Sequence, residues 1–255
     1  MPIVQNYQQR VCLFLDILGF SEHVNKSVGK NGDDIQEKIH EIYSSISQIG
    51  NNIRPFSYSN ETRIITQFSD SIVVSFEISD DDAFIKLLDD LNIIVLNLIN
   101  KEYLVRGGIS LGKLVHTNNI VFGPAINSAY ELESNIAIYP RIIFDKELIE
   151  ELTHPGNRLL KTLANNEFES SYYWKEDFDG KYYLNYLKGG QLIMDPVDYH
   201  DIFLPKIRKY IMRNLNNRVS QKVRTKYGWL KSKFNEVILD LEKEGLPYTI
   251  PSPIG

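Results

Sequence analysis

The sequence predicts an α+β fold with a mostly antiparallel sheet, helices on one face of that sheet, and a helical C-terminal region. Two observations carry this prediction. Short apolar runs rich in β-branched and aromatic residues, typical of strands, alternate with longer stretches whose apolar residues recur at helical spacing. Several strand-like runs follow one another with only a turn between them, which favours antiparallel neighbours over a parallel sheet.

The first elements follow from local pattern. Residues 11–17 are short, apolar and closed by Gly19, as expected of a buried strand. Residues 21–49 carry branched aliphatic side chains at largely helical spacing. Gly29 and Gly32 divide that stretch, so we expect two helices rather than one.

A hairpin and a further helix are predicted next. Residues 63–77 hold two β-rich runs with Ser69-Asp70-Ser71 between them, which places Asp70 at the tip of a hairpin. Three aspartates beginning at Asp80 suit the positive end of a helix dipole. The residues that follow them carry one apolar face, as in a helix packed on a core.

A glycine-containing strand follows that helix. Residues 104–111 predict a strand, and Gly107-Gly108 inside it indicate close approach by another backbone or by a ligand. Backbone packing is the simpler of those two readings. Residues 115–122 continue as an irregular hairpin partner, and Gly123-Pro124 opens a helix because proline suits a first turn. Residues 141–145 predict another strand.

The pattern weakens after Asp145. Residues 182–187 predict a strand, and residues 203–244 predict one or two long helices. We therefore expect a main domain over residues 1–200 and a helical extension over residues 201–255.

Composition excludes several classes of protein. A net charge of −5 gives no general affinity for nucleic acid. The single cysteine, Cys12, excludes an internal disulfide and a cysteine-based zinc cluster, and it fits a reducing compartment. No apolar stretch approaches the ~20 residues of a membrane span, and no signal peptide is visible. We expect a cytoplasmic protein.

Two aspartates are the strongest functional signal. Asp16 ends the apolar run of the first strand, and Asp70 lies between two β-rich runs. A carboxylate among branched and aromatic side chains is costly to bury unless something pairs with it. A divalent cation is an effective partner for two such groups. The pair therefore predicts a metal site at the edge of a sheet, with a strand-end cap at Asp16 as the alternative.

Three segments, taken in order, resemble the class III nucleotidyl cyclases, the family of adenylyl and guanylyl cyclases. They are Phe14 to Phe20, Thr66 to Phe76, and Val105 to Gly112 followed by Val121 to Ser134. The resemblance covers roughly residues 11–145. It implies a ferredoxin-like catalytic fold, a nucleoside triphosphate substrate, and a homodimer whose site lies between two antiparallel subunits.

The resemblance also implies roles for single residues. Asp16, Asp70 and the backbone carbonyl of Ile17 would hold two Mg²⁺ or Mn²⁺ ions. The amides near the β- and γ-phosphates would be those of Leu18, Gly19 and Phe20. Asn127 would position the ribose from the facing subunit.

Three positions depart from the family pattern. Where the family has a transition-state arginine, four residues after the asparagine, this chain has Glu131, which cannot stabilise developing phosphate charge. The available cations are Arg106, for which pairing with a surface acid is the alternative, and a basic segment of ten Lys or Arg residues between Asp201 and Glu236. Thr66 and Ile120 stand where adenylyl cyclases place their purine-reading lysine and aspartate.

Retained metal aspartates without purine readers resemble the bacterial pyrimidine cyclases of the Pycsar antiphage system, as do Arg106-Gly107-Gly108 and the tyrosines from Tyr182 to Tyr186. This resemblance implies UTP first and CTP next as substrate, with a cyclic product that activates a separate effector. Two alternatives on the same fold stay open: an inactive nucleotide sensor, which Glu131 favours, and a purine cyclase. A nucleic-acid-binding module that uses the basic helix is a third, and the acidic composition argues against it.

Overall fold

A computed structural model describes residues 6–52, 62–77, 81–153, 171–216, 219–245 and 248–255. The strands are β1 (Gln8–Leu18), β2 (Ile64–Phe68), β3 (Ser71–Phe76), β4 (Leu104–His116), β5 (Val121–Phe122), β6 (Ile142–Phe144), β7 (Trp174–Glu176) and β8 (Tyr182–Leu184). The α-helices are α1 (Phe20–Asn25), α2 (Gln36–Asn52), α3 (Asp81–Asn100), α4 (Pro124–Glu131), α5 (Lys146–Thr153), α6 (Tyr186–Ile193), α7 (Leu204–Asn216) and α8 (Gln221–Glu244). Two π-helical segments, Leu132–Ile136 and Asp198–Phe203, precede β6 and α7.

The first four strands form a ferredoxin-like unit. They lie in the order β2-β3-β1-β4, every pair antiparallel, with α1 and α2 after β1 and α3 between β3 and β4. β6 joins β4 in parallel, β8 and β7 extend the sheet antiparallel, and β5 pairs with the end of β4. The predicted α+β fold with a mostly antiparallel sheet and a helical C-terminal region is confirmed.

Strand β1 presents two different faces because successive side chains point to opposite sides of a sheet. Its odd-numbered apolar residues, together with α3, belong to the main hydrophobic core: Val11, Leu13, Leu15 and Ile17. Cys12 lies on the other face and packs against Ala125 and Ala129 of α4. Helices therefore cover both faces, and the expectation that they lie on one face is wrong for α4.

Glycines in β4 allow α4 to approach the sheet closely. A Cβ atom at Gly108 would lie 2.6 Å from the Leu132 Cβ atom and would overlap the carbonyl oxygen of Ala129. A Cβ atom at Gly107 would lie 2.7 Å from the carbonyl oxygen of Phe14. Both glycines are thus required by backbone packing.

Some element bounds differ from the prediction. β4 runs to His116 rather than ending at residue 111, because Leu114 and Val115 are buried and continue the strand. β8 ends at Leu184, since Tyr186 begins helix α6 and is itself buried in the core. α3 begins at Asp81, and the neighbouring Asp80 lies outside the described residues.

Helices α7 and α8 share the main core with the sheet, to which they contribute Tyr210, Leu230 and Phe234. A buried cluster of charges links α8 to the rest of the protein. Arg141, 1% exposed, pairs with Asp177 at 2.5 Å, and the Trp229 indole donates to the same carboxylate at 2.8 Å. None of the helices in the described ranges is both long and apolar enough to cross a lipid bilayer.

Candidate active site

Asp16 lies near the carboxyl end of β1, on the face that carries α4. It stands opposite Ser71 of β3 and Arg106 of β4 in the sheet register. The Arg106 Nε atom lies 3.3 Å from Asp16 Oδ2 and only 2.6 Å from Glu133 Oε1. The guanidinium thus bridges two carboxylates, and the closer of them belongs to the buried Glu133 rather than to a surface acid.

Asp70 occupies the two-residue turn between β2 and β3, whose paired ends are Phe68 and Ser71. The predicted hairpin with Asp70 at its tip is confirmed. Ser69 before it has a φ of 55°, a left-handed conformation that favours glycine.

The two aspartates lie within electrostatic reach of each other. Burial raises the pKa of Asp16, the Arg106 guanidinium lowers it, and the charge of Asp70 raises it again. The sheet therefore gathers Asp16, Asp70 and Arg106, which are distant in sequence, at one end of β1.

Glu133 is part of this cluster and was not identified from the sequence. It is 2% exposed, and burial raises its pKa to about 6, with Arg106 opposing and Asp16 and Asp70 reinforcing that rise. Its contact with Arg106 is an ion pair without hydrogen-bond geometry. A signal was present, because Ala125, Ala129 and Glu133 recur every four residues and place a carboxylate on a buried helix face.

Asn127 and Glu131 lie on the exposed side of α4. Within the described ranges, no hydrogen bond or ion pair joins the Asn127 side chain to Asp16 or Arg106. Glu131 borders a separate depression that Lys146 and Lys181 also line. A single chain therefore does not bring Asn127 to the carboxylate cluster.

The turn between β1 and α1 contains the predicted phosphate amides. Ile17 and Phe20 bury their side chains in the core, whereas Leu18 and Gly19 line a cleft of about 610 Å³. Gly19 has a φ of 77° and is the N-cap residue of α1. Lys226 of α8 lines the same cleft.

Thr66 and Ile120, the two positions considered for base recognition, differ in their surroundings. Ile120 is 57% exposed in the loop before β5. The Thr66 hydroxyl lies 3.0 Å from His116 Nε2, at the end of a largely buried polar chain. In that chain His116 Nδ1 lies 2.8 Å from Ser75 Oγ, to which the Arg10 Nε–H donates at 2.9 Å.

Burial determines which group donates and which accepts in each hydrogen bond of this polar chain. Ser75 is fully buried and already accepts from Arg10, so its own proton needs an acceptor, which His116 Nδ1 provides. Burial, and to a lesser extent Arg10, lowers the pKa of His116 to about 4, so the ring is neutral near pH 7. Its remaining proton lies on Nε2 and is donated to Thr66, whose hydroxyl proton stays available to another acceptor.

The carboxylates at this end of the sheet suit a divalent cation only if other ligands complete its coordination. Over the described residues, no group of three or more His, Cys, Asp or Glu side chains is placed to hold a metal ion. Mg²⁺, however, usually binds through one or two carboxylates together with substrate phosphates and water. Asp16 and Asp70, coupled at one end of the sheet, fit that kind of shared site.

No model of a known protein family matches the chain, and no curated protein matches it. Solved structures with a similar fold include a bacterial light-regulated adenylyl cyclase, with a TM-score of 0.40 and 18% identity over 58% of this chain and 80% of that one. Another structure of a bacterial light-regulated adenylyl cyclase gives 0.38 and 20%, over 56% and 44% of the two chains. An adenylate/guanylate cyclase/hydrolase from Silicibacter pomeroyi gives 0.36 and 20%, over 58% and 81%.

Proposed function

We propose that this protein is a nucleotidyl cyclase, a phosphorus–oxygen lyase that converts a nucleoside triphosphate to the 3′,5′-cyclic monophosphate and pyrophosphate. The observation that carries the proposal is the coupling of Asp16 and Asp70 at one end of a ferredoxin-like sheet. One carboxylate from a strand and one from the neighbouring hairpin turn, beside a cleft, suit the binding of a metal-bound triphosphate.

Asp16, Asp70 and the Ile17 carbonyl would hold two Mg²⁺ or Mn²⁺ ions, which supply Lewis acidity at the attacking hydroxyl and neutralise phosphate charge. The chain's own groups then bind and orient the substrate. Glu133 keeps Arg106 beside the carboxylates even when Asp16 is engaged, since it lies closer to the guanidinium than Asp16 does. Arg106 thereby offers a cation for the phosphates where the family arginine is replaced by Glu131.

The cyclase would work as a homodimer. Asn127 is exposed on α4 and has no contact with the cluster in its own chain, so a facing subunit would bring it to the ribose. The amides of Leu18, Gly19 and Phe20 would lie at the β- and γ-phosphates of the other half of the site.

We further propose that the substrate is a pyrimidine nucleotide, with UTP preferred to CTP. Thr66 replaces a lysine reader and keeps a hydroxyl proton to donate, and uracil presents two carbonyl oxygens where cytosine presents one. The cyclic product would be a second messenger for a separate effector in bacterial antiphage defence. A purine cyclase, the alternative, would use the same carboxylates and would differ only in the base that it binds.

The test is purified protein with Mn²⁺ and ATP, GTP, CTP or UTP supplied separately, with cyclic products identified by mass spectrometry. Cyclic UMP that is lost in D70N but kept in D201N, a matched change at an exposed aspartate, would support the proposal. A cyclic purine would keep the cyclase and overturn the pyrimidine assignment. Nucleotide binding without any product would identify an inactive sensor instead.

A further inference from the structure

The cleft beside the β1–α1 turn joins two parts of the chain that are far apart in sequence. Leu18 and Gly19 form one wall, and Val223 and Lys226 from the start of α8 form another. Its volume is about 610 Å³. Leu18 is the last residue of β1 and lies two residues after Asp16, so the cleft lies at the strand end that carries the carboxylate cluster.

The basic side chains of the cleft differ in how their charge is neutralised. Lys26 pairs with Glu22 at 2.6 Å, and Arg213 pairs with Glu102 at 2.5 Å, so two cations and two acids of the lining cancel each other. Lys226 forms no ion pair within 4 Å among the residues that the structure describes.

Lys226 is also partly withdrawn from water. The Lys226 ammonium interacts electrostatically with both Asp16 and Arg106, and the residue lines the cleft. A partly desolvated cation that has no carboxylate within ion-pair distance attracts a mobile anion. The first turn of α8, capped by Ser220, faces the same space, and its unpaired amides add positive potential.

We propose that Lys226 binds the β- and γ-phosphates of the substrate, so that helix α8 supplies a polyphosphate subsite to the carboxylate cluster of its own chain. This inference rests on the proposed function for the identity of the substrate. The polyphosphate subsite itself rests on the unpaired ammonium and on the shape of the cleft.

The experiment measures binding of inorganic tripolyphosphate to the full chain by titration calorimetry, without divalent cations. We expect K226M to weaken binding roughly tenfold or more, since a charge-assisted contact is lost. K226R should keep most of the affinity because it retains the cation. K206M, the same change at an exposed lysine of the basic segment, should bind like the wild type.

The outcomes separate this inference from the proposed function. Equal affinity in K226M and the wild type, or no binding by the wild type, would overturn the subsite. Tripolyphosphate binding that depends on Lys226, in a protein that forms no cyclic product from any nucleotide, would keep the subsite and reject the cyclase. Circular dichroism melting of each variant verifies that it is folded.

Discussion

Arg106 Nε lies 2.6 Å from Glu133 Oε1, closer than the 3.3 Å that separates it from Asp16 Oδ2. A buried glutamate on the α4 side therefore holds the guanidinium that would otherwise neutralise Asp16 alone. In the proposed cyclase, this division of one cation between two carboxylates would decide how freely Asp16 accepts a divalent ion.

Changing Glu133 to glutamine should weaken divalent cation binding. Arg106 would then pair with Asp16 alone and compete with the metal, and one negative charge near the site would be lost. We expect Mn²⁺ affinity to fall roughly tenfold, as for other changes to groups that support metal ligands. Electron paramagnetic resonance of free Mn²⁺ measures this affinity. E131Q, an exposed change two residues earlier, should leave the affinity unchanged, and unchanged binding in E133Q would contradict the role of Glu133.

The buried His116 should make stability depend on pH. Its pKa is lowered from 6.5 to about 4, so between those values the unfolded chain binds more protons than the folded one. The stabilisation is complete above pH 6.5 and is lost as the pH falls toward 4, by up to about 3 kcal/mol.

Urea unfolding of the wild type and H116N over this range isolates the contribution of His116. The difference in unfolding free energy between the two proteins should shrink as the pH falls. H40N, at an exposed histidine, should follow the wild type at every pH. Parallel curves for H116N and the wild type would show that His116 is not held neutral.

Two glycine-to-alanine changes should have opposite effects on the free energy of unfolding. At Gly108 the added methyl group meets the Ala129 carbonyl and the Leu132 Cβ atom, so G108A should destabilise the protein by ~1–3 kcal/mol or more. Gly228, inside α8, has no atom within 4 Å of an added Cβ atom, so G228A should stabilise by ~0.5–1 kcal/mol. Thermal melting measures both, and a stable G108A protein would refute the close packing of α4.

The charge cluster beneath α8 should be far more sensitive than surface pairs. Asp177 is fully buried and serves Arg141, Lys233 and Trp229, so D177A leaves buried charges without a partner. We expect a loss of ~3–5 kcal/mol in unfolding free energy. K146A, which removes an exposed pair with Glu150, should cost less than ~1 kcal/mol. Similar losses in the two variants would argue against the cluster's importance.

The elements that could be predicted are those whose signal is local. β1, the hairpin at Asp70 and the start of α4 each follow from a run of about ten residues and its turn. The change from strand to helix at Tyr186 could not be predicted, because an aromatic side chain is also typical of a strand. Only the packing of Tyr186 in the surrounding core favours the helix.

The cluster was predictable in part for the same reason. Asp16 and Asp70 can be recognised in the sequence as carboxylates in apolar surroundings. Glu133 lies among charged neighbours that are typical of an exposed helix, and only its spacing of four residues from Ala129 indicates a buried face. Its burial depends on the close approach of α4 that Gly108 allows. Lys226 belongs to the basic segment that the sequence offers as a source of cations, but only the packing of α8 distinguishes it from the other nine basic residues of that segment.

The sharing of one core by β1 and α8 has a consequence for biosynthesis. During translation the carboxylate strand leaves the ribosome early, while Leu230 and Phe234, which close the core above it, emerge much later. A nascent chain halted before α8 exposes that apolar surface and lacks Lys226. The core beneath the carboxylate strand is therefore expected to close only after α8 has emerged, and not while β1 is being made.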